Sequence, residues 1–306
     1  MKAKHLVALY DLSPSDISEV LDTAARIKAA PKEYATKLLG QTLAMIFLKE
    51  STRTRVSFEV GTYELGGHAL FLSSRDIQLR RGETIADTAR VLSRYVNGIM
   101  IRTFAHQDVL DLAKFGSVPV INGLDDLVHP CQALADYFTI REHKGKLAGL
   151  KLAYVGDGNN VAHSLLMGGV KLGVNVAIAT PKGYEPDKRM IEMAGPPAAE
   201  TGAKIVLTND PVEAVRGADV VYTDVWVSMG QDEERSQRLK VFEPYQINGA
   251  LFGHAKNDAI FMHCLPAHRG EEVTDEIADH PRSVIFDQAE NRLHAQKAAM
   301  LLLMSH

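Results

Sequence analysis

Cysteine is nearly absent from this chain: Cys131 and Cys264 are the only two in 306 residues. So sparse a pair provides no disulfide framework, and both are expected as free thiols in a reducing, cytoplasmic setting. Long hydrophobic runs are missing too. No stretch approaches the ~18 residues of a membrane span, and the apolar run Ala298–Met304 suits only a docked helix. The opening Met1–His5, soon followed by Asp11 and Asp16, lacks the apolar core of a secretory signal. A charge excess of one sign is also lacking. Lys and Arg number 34 against 38 Asp and Glu, for a net charge of -4 and a pI near 6.3. This leaves no broad basic field for nucleic acid or anionic lipid, so any anion must be bound locally.

What is present is an ordinary globular composition, 46% hydrophobic and 24% charged, in a chain long enough for two domains or one large α/β unit. Ser13 before Pro14 signals a helix start, and Ile17, Val20, Leu21, Ala24 and Ile27 continue it at helical spacing to about Ala30. Apolar runs at Leu43–Leu48, Ala69–Leu72, Ile99–Ile101 and Val118–Ile121 then alternate with helical patterns at Thr54–Leu65, Thr84–Val96 and Asp108–Phe115. A second series follows at Lys151–Val155, Val174–Ile178, Lys204–Leu207, Val220–Tyr222, Ile260–His263 and Val284–Phe286. This βα rhythm predicts an α/β fold of two domains, each a mainly parallel sheet flanked by helices. A helix over Pro130–His143 and the step Gly145–Gly149 separate the two series. The expected limits are 1–146, 147–287 and a C-terminal helix, 288–306, packing back on the first domain. The active site is expected in the cleft between the domains.

Chemistry-bearing residues follow the predicted strands. Ser51-Thr52-Arg53-Thr54-Arg55 opens a helix, where free amides and arginine forks suit phosphate oxygens. Arg102-Thr103 ends another strand, and His129-Pro130-Cys131-Gln132 opens a further helix. In open parallel sheets ligands gather at the carboxyl ends of strands, so Ser51, Arg102 and His129 make a phosphate-plus-carbonyl pocket plausible. Taken singly, the same features also fit a helix cap with solvated arginines, a structural His129 and a core Cys264. In the second half, Asn160, Asp224 and Ser228 are groups that hold the two ends of an amino acid, and Cys264 follows a strand. Gly156-Asp157-Gly158-Asn159-Asn160-Val161 also suggests a nucleotide-binding oxidoreductase, but Val161 stands where the third glycine of that fingerprint belongs.

Across nearly its whole length the sequence resembles the aspartate/ornithine carbamoyltransferase family. Ser51–Arg55 with Val56-Ser57-Phe58-Glu59, and His129–Gln132, are similar to its two carbamoyl phosphate motifs. Asp224-Val225-Trp226-Val227-Ser228-Met229-Gly230 and His263-Cys264-Leu265-Pro266 resemble its ornithine branch. The resemblance implies a carbamoyl phosphate site of Ser51, Thr52, Arg53, Thr54, Arg102, His129 and Gln132, completed by Cys264, Leu265 and Arg292, with Gln78 lent to a neighbouring subunit. It implies ornithine held by Asn160, Asp224, Ser228 and Met229, and citrulline and phosphate as products. Catalysis then falls to Arg53, Arg102, His129, Asp224 and Cys264, with no metal and no organic cofactor. A homotrimer with shared active sites, usually serving arginine biosynthesis, is implied as well. Two departures stand out: Glu50 replaces a common Pro or Thr, and Arg80 replaces a glycine beside Gln78. Aspartate, N-acetylornithine and putrescine remain alternative acceptors, and a non-catalytic protein on the same scaffold remains a rival of another class.

Overall fold

A computed structural model describes residues 1–75, 77, 79, 82–227 and 232–305. The chain divides into two compact units, Met1–Phe138 with Glu290–His306, and Thr139–Ala289. The first contains α1 (Pro14–Ala29), β1 (Thr42–Phe47), α2 (Thr52–Glu64), β2 (His68–Ser73), α3 (Ile85–Leu92), β3 (Gly98–Arg102), α4 (His106–Phe115), β4 (Val120–Leu124) and the first turns of α5 (Pro130–Lys144). Helix α1 starts in a reciprocal capping box, Ser13 accepting from the Asp16 amide and Asp16 from the Ser13 amide.

The second unit runs through β5 (Lys151–Val155), α6 (Asn160–Lys171), β6 (Asn175–Ala179), α7 (Lys188–Thr201), β7 (Ile205–Thr208), α8 (Pro211–Val215), β8 (Val220–Thr223), α9 (Arg235–Phe242), α10 (Gly249–Phe252), β9 (Ile260–His263) and α11 (Asp275–Ala278). Helix α12 (Ile285–Met304) ends the chain, its residues from Glu290 on belonging to the first unit.

Both sheets are parallel, with strand orders β2-β1-β3-β4 and β7-β6-β5-β8-β9 among the described residues. The central strands are buried on both faces, as parallel sheets covered by helices require. In the first unit Ala44, Ile46, Ile99 and Ile101 pack with Ala89, Val109 and Leu112 from the flanking helices. In the second, Ala153, Val155, Val221 and Phe261 pack with Ala214, Ile247 and Ile277.

The strand orders fix where a site can form. In the first sheet the chain steps from β1 outward to β2 and then back to β3 on the other side, so the loops after β1 and β3 diverge at a switch point. Ser51 and Arg102 lie there. In the second sheet the switch falls between β5 and β8, whose ends lead to Asn159 and Asp224.

One expected strand does not form. The apolar run Val284–Phe286 fits a strand, but Ile285 and Phe286 begin α12, and only Ser283 bridges to Phe261 of β9. A three-residue apolar run has no periodicity to separate a strand from the first turn of a helix.

Candidate active site

In the first unit the site grows from the start of α2. Ser51 caps the helix by accepting from the Thr54 amide at 3.1 Å. The other first-turn amides have no acceptor within the helix, which makes its end attractive to an anion. Thr54 is fully buried, and its hydroxyl oxygen gathers three donors. Ser51 Oγ donates at 3.0 Å, Arg292 Nη2 at 2.5 Å and Arg102 Nη1 at 3.4 Å. Arg102 arrives from the end of β3 and Arg292 from α12, both buried. Two guanidiniums held at one hydroxyl concentrate positive charge beside a helix N-terminus.

Thr52 and Arg53 are exposed in the first turn, and no described side chain engages the Arg53 guanidinium. Arg55 points elsewhere. It pairs with Glu59 at 3.4 Å and lies over the Phe71 ring, 3.7 Å from its centroid.

His129, just before α5, is buried. Burial, then the charges of Arg292, Arg102 and Lys49, hold its pKa well below the usual histidine value. The ring is therefore neutral near pH 7 and carries one N–H donor. Gln132 is buried one turn later. Its amide donates to Asp136 at 2.8 Å while its Oε1 has no hydrogen-bond partner. Sequence reasoning missed Lys49, which is buried and bonded to Asp126 at 3.0 Å, and whose charge bears on His129. Cys131 faces inward, donates to the Asn122 carbonyl at 3.3 Å, and has its thiol pushed up to about 12 by burial.

In the second unit the switch point holds a polar cluster. Asp224, buried after β8, accepts from Cys264 Sγ at 2.9 Å and the Val225 amide at 2.8 Å through Oδ1, and from Asn159 Nδ2 at 2.8 Å through Oδ2. Asn159 also caps α6, accepting from the amides of Val161 and Ala162. Asn160, the residue named from sequence, is half-buried at the first position of that helix. Asn159, which directly fixes Asp224, was legible only as part of a glycine-containing turn. Behind them, Arg238 of α9 ion-pairs with Asp157 and donates to the Trp226 carbonyl at 2.6 Å. Desolvation outweighs that pairing and raises the Asp157 carboxyl to about 6.

Cys264 and Leu265 follow β9. Leu265 has φ 57, the one non-glycine residue with positive φ among those described. Gln78, Ser228 and Met229, expected site residues, lie outside the described residues, as does Arg80. Asp224, His263 and Cys264 bring possible metal-ligand atoms within 4.8 Å of one another, as do His268, Glu271 and Glu272. In the first group, however, both nitrogens of His263 are already hydrogen-bonded, to Glu272 and to the Leu265 amide. One glycine of the partial nucleotide fingerprint has a local use: a Cβ on Gly158 would lie 2.3 Å from the Pro186 nitrogen. Close packing against residues 184–186 thus accounts for glycine there without a nucleotide.

Comparison with known proteins agrees with both halves. A family model described as the carbamoyl-P binding domain of aspartate/ornithine carbamoyltransferase matches residues 4–142, and one described as the Asp/Orn binding domain matches residues 148–303. The chain is 61% identical over 306 residues to the ornithine carbamoyltransferase of Thermococcus kodakarensis, covering 99% of this chain and 97% of that one. It is similarly 60% identical to the anabolic ornithine carbamoyltransferase of Pyrococcus furiosus, covering 99% and 97%. Among solved structures, ornithine carbamoyltransferase from Pyrococcus furiosus superposes with a TM-score of 0.95 at 60% identity, covering 98% of this chain and 96% of that one. An acetylornithine transcarbamylase complexed with acetylcitrulline reaches a TM-score of 0.88 at 32% identity, covering 99% of each chain. The fold therefore serves more than one acceptor amine.

Proposed function

The chain belongs to the aspartate/ornithine carbamoyltransferase family, and we propose that it transfers the carbamoyl group of carbamoyl phosphate to the δ-amine of L-ornithine, giving L-citrulline and phosphate. The observation that carries the choice of acceptor is about 60% identity, over essentially the whole chain, to relatives named for ornithine, against 32% to the acetylornithine enzyme.

The uncharged δ-amine attacks the carbonyl carbon, and the tetrahedral intermediate expels phosphate. In our reading the first unit takes the phosphate. The α2 amides, Ser51, Thr52, Arg53 and Thr54 bind its oxygens, and Arg102, with Arg292 beside it, offsets the charge that grows as it departs. Neutral His129 and Arg102 donate to the carbonyl oxygen, and Gln132 offers its open Oε1 to the carbamoyl NH2. A neutral imidazole suits this task because it stabilises the oxyanion without protonating it first. Cys264 and Leu265 complete the carbamoyl phosphate contacts.

The second unit takes the amino acid, through Asn160, Asp224, Ser228 and Met229. Near neutrality the free amine is mostly protonated, so a proton must leave before attack. Asp224 and Cys264, hydrogen-bonded to each other, orient the amine and relay that proton. No organic cofactor or metal enters this scheme. Carbonyl-labelled [13C]carbamoyl phosphate tests it by NMR: label should appear in citrulline with one phosphate released per turnover, and release without citrulline would refute it.

We also propose a cytoplasmic homotrimer acting in arginine biosynthesis, its sites completed by Gln78 of a neighbouring subunit. No helix among the described residues is long and apolar enough to cross a membrane. The anabolic name of the Pyrococcus furiosus relative supports the metabolic direction. Val56, Val60 and Tyr63 share an exposed stripe of α2, and Phe71 of the edge strand β2, beneath Arg55 of that helix, is exposed as well, apolar surface that a second copy of the chain can cover. Sedimentation should give a mass of three chains, and a stable active monomer would contradict this.

A further inference from the structure

The segment Cys264-Leu265 leaves β9 in a backbone conformation that leucine rarely adopts, with φ 57 at Leu265. Such a conformation persists only where its surroundings over-determine it. The surroundings here are a chain of buried hydrogen bonds behind the segment. The Leu265 amide donates to His263 Nδ1 at 2.9 Å. That nitrogen is therefore an acceptor, and the neutral ring carries its proton on Nε2. Nε2 faces Glu272 Oε1 at 3.0 Å, and the same oxygen accepts from the His268 amide at 2.6 Å. Glu272 and the His263 ring are both fully buried.

The backbone on each side is tied down as well. The His263 amide donates to Gln288 Oε1 at 2.9 Å, and Gln288 Nε2 donates to the Tyr222 hydroxyl at 3.0 Å. The Glu272 carbonyl accepts from the Ile247 amide at 2.9 Å. One buried carboxylate thus fixes both the tautomer and the plane of the ring that holds Leu265. A buried carboxylate amid apolar core is a costly way to satisfy two N–H groups, so its presence calls for a role in setting geometry.

We propose that Glu272 is a positioning residue. Through His263 it holds the Leu265 amide turned inward, and so keeps Cys264 against Asp224 and the Cys264-Leu265 segment in register for carbamoyl transfer. The link to catalysis rests on the function proposed above. The link to the segment does not.

Cys264 supplies a readout that needs no activity. It is the half-buried thiol of the pair, whereas Cys131 is fully buried. Freeing the segment removes Cys264 from Asp224 and exposes it to reagent. The test compares peptide-resolved iodoacetamide labelling of Cys264, and kcat and KM for both substrates, in wild type, Glu272→Ala, Glu272→Gln and Glu272→Asp. Met190→Ala, a core truncation on α7 of the same unit and outside the cluster against which Leu265 packs, serves as the control for lost stability.

Glu272→Ala should label at least about five times faster than wild type, because opening of the segment exposes the thiol. It should also raise the KM for carbamoyl phosphate about tenfold. Glu272→Gln keeps an acceptor for both N–H groups and should stay within about twofold on each measure. Met190→Ala, at comparable Tm, should label as wild type does. If Glu272→Ala fails to fold, Glu272→Asp decides: its shorter side chain retracts from His263 and should still speed labelling about threefold.

Labelling at the wild-type rate in a folded Glu272→Ala or Glu272→Asp protein would overturn the proposal. So would Glu272→Gln labelling as fast as Glu272→Ala, or Met190→Ala labelling as fast as either. Faster labelling with no citrulline from the wild type would sink the proposed activity and leave the positioning role standing.

Discussion

Cys264 Sγ donates to Asp224 Oδ1 at 2.9 Å, while Asn159 Nδ2 holds the other carboxylate oxygen at 2.8 Å. The carboxylate is thereby fixed with the thiol beside it, the arrangement that a relay taking a proton from the attacking amine needs. Replacing Asp224 with Asn should lower kcat/KM for ornithine by about 100-fold or more, roughly 2.7 kcal/mol of transition-state stabilisation. Cys264→Ser, which keeps a donor to Asp224, should lose far less than Cys264→Ala. Steady-state assays with each substrate varied will check this. Equal losses in the two cysteine variants would remove the relay role from the thiol.

Arg53 and Arg55 sit two residues apart on α2 and so face about 200° apart. Arg55 is occupied by Glu59 and the Phe71 ring, and Arg53 is not. Arg53→Ala should depress kcat/KM for carbamoyl phosphate about 100-fold with an unchanged Tm. Arg55→Ala should cost less than about fivefold in kcat/KM and up to roughly 1 kcal/mol in stability, the scale of an exposed ion pair plus a cation–π contact. Similar kinetic losses in both folded variants would contradict this division.

Thr54 is the acceptor shared by Arg102 and Arg292. Thr54→Val keeps the shape but removes that acceptor from two buried guanidiniums, so unfolding in urea should show a loss of about 1–3 kcal/mol. Stability within about 0.5 kcal/mol of wild type, the usual range of surface substitutions, would mean the hydroxyl does not organise them.

The contrast between Thr54 and its neighbours shows what a sequence can and cannot reveal. Ser51 as a cap and the start of α2 are legible, because capping is decided within four residues. The convergence of Arg102 and Arg292 on Thr54 spans 48 and 238 residues, and no local pattern encodes it. The central strands declared themselves by burial on both faces. Val284–Phe286 did not, because its three apolar residues serve equally as the first turn of α12. Nothing in the sequence marks Glu272 or Arg238, since periodicity does not show which charged residue finds a buried partner. Asn160 drew attention from the family pattern, while its neighbour Asn159 makes the bond to Asp224.

Asp157 offers a pH test. Burial raises its carboxyl to about 6 from an unfolded value near 3.8, even beside Arg238. The folded state therefore binds the proton more tightly. The stability this contributes is full below about pH 3.8 and is lost as pH rises through about 6, a swing of roughly 3 kcal/mol. Carboxyl 13C NMR of aspartate-labelled protein should find one carboxyl titrating near 6. A titration of Asp157 below about 4.5, well inside the ordinary range, would show that Arg238 outweighs desolvation.

The most direct test of the proposed reaction is a side-by-side measurement of kcat/KM for carbamoylation of ornithine, N-acetylornithine, aspartate and putrescine at saturating carbamoyl phosphate. Ornithine should exceed each of the others by at least about 100-fold: in the proposed site N-acetylornithine with its blocked α-amine and putrescine without an α-carboxylate leave polar groups unpaired, and aspartate, which keeps both α groups, has no side-chain amine to attack. Faster transfer to any of the other three amines would contradict the account.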